Sequence, residues 1–183
     1  MIFRNTIIKS IVTLVVAMLL FSCETDIKKI NELDVENLPS QNAKDITIVR
    51  TDSSKIVTII FAPEVENFYS LENPYTIFPK GMSVKSYKNY PIVESSLKCN
   101  KAKHLKNEQL WIGQDDVEVV NDLGSKLNTE ELYWDVAKGK IYTDKDVRIT
   151  TNNEIIYGKG LTADQDFKEY EILEPKGTIY IDE

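Results

Sequence analysis

The side chains that could carry chemistry are few and badly spaced for it. His104 is the only histidine in 183 residues, which excludes a histidine-based catalytic triad and any multi-histidine metal site. It is expected as a surface or strand residue. Carboxylates cluster as Asp115-Asp116, Glu130-Glu131 and Asp164-Gln165-Asp166. Such pairs could serve a glycosidase, and the last could ligate calcium. Neighbouring acids in turns are usually solvated, however, and Asp164 and Asp166 are expected to reach backbone amides after a bend at Gly158 and Gly160. Trp111 and Trp134, with nine tyrosines, could form a sugar-stacking platform. Alternation sets Trp134 with Leu132 on an apolar face, which favours apolar contact or core over exposed stacking. No nucleophile stands with a base, so hydrolysis is a poor fit, and neither a cofactor nor a metal is expected.

The chain opens with a different kind of signal. The apolar run from Ile11 to Phe21 is 11 residues long, too short for the roughly 20 a membrane-spanning helix needs. Arg4 and Lys9 precede it and no acid appears before Glu24, the layout of a secretory signal. Leu20, Ser22 and Cys23 resemble the lipobox of bacterial lipoproteins, in which the cysteine receives a diacylglycerol and becomes the mature N-terminus. That resemblance implies lipidation at Cys23 and attachment to a membrane leaflet, since each buried methylene contributes about 0.8 kcal/mol. Arg4 and Lys9 are the only charges in residues 1–22, so their removal leaves 161 residues and moves the net charge from −7 to −9. An acidic chain of one-domain length is a poor partner for nucleic acid or for an anionic bilayer surface. With Cys23 taken by lipid, Cys99 has no internal disulfide partner and reads as a small buried residue. The polar segment 23–44 reads as a tether, and the folded domain is expected over 45–183.

From Asp45 onward apolar residues recur at spacing two, in Ile, Val, Tyr and Phe, the signature of an all-β protein. Candidate strands are DITIVRT, KIVTIIFA, MSVKSY, the stretch Ile92 to Leu105, QLWIG, VEVVN, ELYWDV, KIYTD, VRITT, EIIYGKG, YEILE and TIYID. A helical turn is conceivable only around Glu64 to Glu72, between Pro63 and Pro74. Val117, Val119, Leu132, Trp134, Ile141, Val147 and Ile149 fall on one side of their strands, with Glu118, Asp135 and Arg148 on the other. This oily face fits a sealed sandwich or a slot left open between two layers. Periodicity cannot separate the two, because both need inward Ile, Val, Leu and Trp.

The segment Trp111 to Tyr170 resembles the LptC and OstA-like family of lipopolysaccharide export proteins. The features that carry the likeness begin with Val117, Val119, Asn121 and Gly124, followed by Leu127, Thr129, Leu132, Trp134 and Asp135. Lys140 to Asp144, Val147 and Ile149 come next, then Gly158, Gly160, Leu161, Ala163, Asp164, Asp166 and Phe167. Upstream, Phe78 to Met82 and Glu94 to Leu97 resemble the Bacteroidota-type lipoprotein branch. The resemblance implies a twisted, open β jelly roll without enzymatic activity. It also implies that lipid A acyl chains pass through an apolar groove from the permease pair LptF/LptG and its ATPase LptB to a periplasmic LptA-like jelly roll. Location at the periplasmic face of the inner membrane follows, with a lipobox where enterobacterial members carry a transmembrane helix. On this basis the expected groove lining is Val117, Val119, Leu132, Trp134, Ile141, Val147, Ile149 and Leu161, with Phe61, Phe78 and Val84 from the N-terminal strands. The competing expectation is a sealed β-sandwich lipoprotein that binds glycan or protein at the outer membrane.

Overall fold

The structure, a computed structural model, describes residues 38–69 and 72–177. Cys23, the signal and most of the tether lie outside the described residues, as do TIYID and the C-terminal edge 178–182. Regular structure begins at Gln41, ahead of Asp45. Eleven strands follow in one antiparallel sheet, with no helix among the described residues: β1 (Gln41–Asp52), β2 (Lys55–Phe68), β3 (Tyr75–Phe78), β4 (Met82–Asn89), β5 (Ile92–Cys99), β6 (Lys101–Leu105), β7 (Leu110–Asn121), β8 (Lys126–Asp135), β9 (Lys140–Thr150), β10 (Ile155–Asp164) and β11 (Tyr170–Lys176).

The turns follow the sequence chemistry. Between β1 and β2, Ser53 and Ser54 both take positive φ, 48° and 66°, the two-residue geometry whose twist matches flanking strands. The sheet order makes β2 and β7 the long spines. β2 pairs β1 along its length, β4 through Thr58–Phe61 and β3 through Glu66–Phe68. β7 likewise pairs β6 through Leu110–Gln114 and β5 through Glu118–Asn121. The short strands β3 and β4 therefore share one lane, and β5 and β6 the next. β1 and β11 are the two edges.

A line of irregularities crosses the C-terminal strands. Asp115 and Asp116 in β7 have φ of 60° and 56°, and the β7–β8 register shifts between Gln114 and Val117. The shift continues between Thr129 and Tyr133 where β8 meets β9, and between Lys159 and Leu161 where β10 meets β9, with Gly160 at φ 74°. Bulges bend strands, and aligned bulges fold the sheet onto itself in jelly-roll fashion. Asp115-Asp116 and Glu130-Glu131 are therefore corner residues: Asp115 is 2.8 Å from Lys101, and Glu131 accepts from Gln114 Nε2 at 2.6 Å; on β9 the same corner carries Asp146, which meets Lys176 at 2.9 Å.

Several sequence expectations are corrected here. Glu64 to Phe68 continues β2 and is not helical, because Val65 and Phe68 are buried and the β1 and β3 ladders supply the backbone bonds. Pro63 is tolerated because it sits where β2 changes partner from β4 to β3. QLWIG and VEVVN are one strand, as are KIYTD and VRITT, each pair joined across the corner. The stretch from Ile92 to Leu105 is two strands split at Asn100, and β3 is an additional short strand.

Folding over buries a continuous apolar cluster that includes Val117, Leu127, Leu132, Ile149, Leu161 and Phe167, each no more than 1% exposed. The turn after β10 closes its base. Asp164 Oδ1 accepts the Lys168 and Glu169 amides at 2.6 and 2.8 Å, while Asn121 Nδ2 donates to the Phe167 carbonyl at 2.7 Å. Asp164 thus does the turn-holding expected of it. Asp166 faces another way and accepts from Ser95 Oγ at 3.5 Å. Burial, followed by the nearby Glu94 and Asp164 charges, pushes its carboxyl above the ordinary value of 3.8. The folded state therefore holds the Asp166 proton more tightly than the unfolded chain. Ionisation removes stability once pH rises through the folded pKa, and that loss is absent below about pH 3.8. Asp166→Asn should accordingly raise the melting temperature at pH 7 and leave it near the parent value at about pH 3, read by paired thermal melts.

Candidate functional site

Beside the sealed cluster the two layers part. A cavity of about 640 Å³ lies between β1, β2 and β3 on one side and β6, the N-terminal end of β7 and the C-terminal end of β8 on the other. Its floor is Ile60, Val65 and Phe78, and one wall is Ile46 and Ile48 of β1. Alternation brings Ile46, Ile48 and Arg50 to a single face of β1. Ile48 is 39% exposed, so this apolar wall faces open space. The opposing wall is aromatic. Trp111 and Trp134 are directly paired across β7 and β8 with ring centroids 6.2 Å apart, and Phe78 lies 5.6 Å from Trp111. His104 stacks on Trp111 at 4.1 Å and 12°. Burial, reinforced by the Lys106 charge, lowers the His104 pKa below its ordinary 6.5, so the imidazole is neutral at pH 7. The rim is polar, with Tyr69, Lys106 and Gln109.

Trp134 stands at the junction of three hollows. It lines the large trough, a void of about 20 Å³ with Val84, Val119 and Ile141, and a polar hollow of about 420 Å³ that contains Asp52, Glu94 and Asp166. Its Nε1 is buried and has no hydrogen-bond partner among the described residues.

The residues expected to line a groove divide accordingly. Phe78 and Trp134 do line the trough, and Val84, Val119 and Ile141 surround the small void beneath Trp134. Val117, Leu132, Val147, Ile149 and Leu161 line none of the three hollows and lie in the closed part of the same buried cluster that Phe78, Val84, Val119 and Ile141 share. Phe61 is 43% exposed and lines a notch on the outer face with Lys80 and Lys98. Its neighbours Ile60 and Ala62 take the inward positions. Sequence reasoning missed Ile46, Ile48, Ile60, Val65 and Trp111. The alternation in Ile46-Thr47-Ile48 was the available signal for the β1 wall.

No group of three or more His, Cys, Asp or Glu among the described residues is placed to hold a metal ion, and no carboxylate is among the described residues that line the trough. An apolar trough with aromatic walls and a polar rim suits reversible accommodation of an aliphatic chain. The sequence matches the family described as lipopolysaccharide-assembly, LptC-related, over residues 11–180. The chain belongs to the LptC-related family. Its fold is the all-β jelly roll that the resemblance implied, and its family role is lipopolysaccharide transport at the periplasmic side in association with the inner membrane. No individually curated protein matches this LptC-related chain.

Proposed function

We propose that this LptC-related protein accepts lipid A acyl chains in the trough and passes them from the inner-membrane permease pair LptF/LptG, driven by LptB, to a periplasmic LptA-like jelly roll. It is held at the inner membrane by lipid on Cys23. The observation that carries the reading is the 640 Å³ apolar trough left between layers that are sealed elsewhere. Shielding acyl surface from water contributes about 25 cal/mol per Å², enough to carry a tail without any covalent step. The edge strands β1 and β11 each present an unpaired ladder among the described residues, the form used to add a neighbouring strand.

The test is a photo-crosslinking residue at Trp134 in living cells. It should trap lipopolysaccharide well above the level at Arg148, which is exposed on β9. Equal labelling at the two positions would remove the trough from the transport route.

A further inference from the structure

The rim residues Tyr69 and Gln109 follow β2 and precede β7. The other ends of those strands carry apolar side chains that the core does not use. Thr58, Ser86, Ser95 and Asn121 form the last row of pairs across β2, β4, β5 and β7. Beyond that row the β4–β5 hairpin pairs only within itself, Tyr87 with Val93 and Asn89 with Ile92. It therefore reaches about 10 Å past the shared ladder, at about 3.4 Å per residue. Tyr90, Ile92 and Val93 on this hairpin are 55%, 64% and 39% exposed. Leu123, 67% exposed, lies next to them: it is two residues past Asn121, as Val93 is two residues before Ser95.

The chemistry of this tip fits a bilayer. Tyr90 sets its ring edge-on to Tyr87 with centroids 5.1 Å apart, and Lys88 stands between them in sequence. Tyrosine and lysine have an apolar body and a polar end, and they settle at headgroup level with aliphatic neighbours below. Charge is sparse and close to balanced, since Glu94 is held by Lys168 and Lys88 offsets Asp122. The reach of the hairpin matches the roughly 5–10 Å depth to which interfacial segments enter the boundary of headgroups and acyl chains. Tyr90, Ile92 and Val93 together expose roughly 300 Å², well short of the ~800 Å² per partner that a stable protein interface uses. The LptC-related family works in association with the inner membrane, which puts such an apolar surface within reach.

We propose that the β4–β5 hairpin, with Leu123 beside it, dips into the periplasmic leaflet of the inner membrane and forms a bilayer contact separate from any anchor at the N-terminus. Apolar side chains carry the insertion, so it needs no anionic lipid. The trough rim, at the other ends of β2 and β7, stays clear of the headgroups. This contact goes beyond the acyl-carrier reading and does not depend on it.

The full chain, with the photo-crosslinking residue benzoylphenylalanine in place of Ile92, is reconstituted in vesicles of phosphatidylethanolamine and phosphatidylglycerol and irradiated. Phospholipid adducts are then counted by mass. Phe61 is the control position, also apolar and 43% exposed, on the outer face of β2. Adducts at Ile92 should exceed those at Phe61 about tenfold, and the double variant Tyr90→Ser, Leu123→Ser should lower the Ile92 yield by a similar factor. Both substituted side chains are exposed, so the melting temperature should not change. Equal yields at Ile92 and Phe61, or an Ile92 yield that survives the double variant, overturns the inference and leaves the carrier reading standing. Adducts that join two copies of the chain in place of phospholipid assign the tip to self-association and also overturn it.

Discussion

Ile48→Asp should empty the trough of acyl chains while the protein stays folded. Ile48 lies on edge strand β1 and is 39% exposed, so its replacement is expected to change stability by about 1 kcal/mol or less. The effect on the ligand is much larger. An acyl chain lying along β1 would cover the new carboxylate, and burying an unpaired charge costs several kcal/mol. A deficit of about 3 kcal/mol lowers occupancy roughly 100-fold. Aspartate is too short to reach back to water as a lysine would. Arg50, on the same face of β1, is a cation the carboxylate could meet, but an acyl chain would then have to cover that ion pair, which reduces the deficit without removing it. Thr47→Asp is the matched control, since Thr47 is exposed on the opposite face of the same strand. Crosslinking at Trp134 should fall to background in the Ile48 variant and persist in the Thr47 variant, with similar melting curves for both. Full crosslinking in Ile48→Asp would show that lipid does not run along β1.

The strands were legible because alternation reports a half-buried sheet face. The corner was not, because a bulge sets two turn-like residues of one strand against a single residue of its partner. Asp115-Asp116 and Glu130-Glu131 look in sequence like loop acids, and only the ladder on either side shows that the strand continues through them. Alternation also could not tell core from trough. Val117, Ile149 and Leu161 in the sealed cluster and Phe78 and Trp134 at the trough satisfy the same inward pattern. What separates them is which lanes meet when the sheet folds, a property of register between residues far apart in the chain. Phe61 lies outside the trough for a local reason. Ile59-Ile60-Phe61-Ala62 is an unbroken apolar run with no alternation of its own, so its phase is set by partners. Ile60 faces inward opposite Val84 and Ile48, which turns Phe61 out. The β1 wall was readable, but edge position hid its importance, because half-exposed isoleucines on an edge look dispensable until a facing tryptophan pair is known.

Gly81→Ala should lower stability far more than Gly139→Ala, although both glycines have positive φ, 75° and 62°. At Gly139 nothing lies within 4 Å of an added Cβ, so the variant bears only the left-handed backbone strain, about 1 kcal/mol. At Gly81 an added Cβ would lie 2.1 Å from the Cys99 carbonyl oxygen and 3.0 Å from Asn100 backbone atoms. These are main-chain atoms and cannot rotate away. The position is also where the shared lanes break, as β3 gives way to β4 and β5 to β6, with Gly81 N–H donating to the Phe78 carbonyl at 3.1 Å. Relief requires β4 to move off β5 at the Met82–Cys99 pair, which loosens two buried residues. A loss of about 3–5 kcal/mol is expected, the range reached only by a few specific defects, and at a few °C per kcal/mol it lowers the melting temperature by about 10 °C. Equal melts for the two variants would refute the close approach. The same junction fixes Phe78 in the trough floor and Val84 under Trp134, so a folded Gly81→Ala population should also lose the distinction between trough and sealed core. In that population crosslinking would spread from Trp134 to Val84.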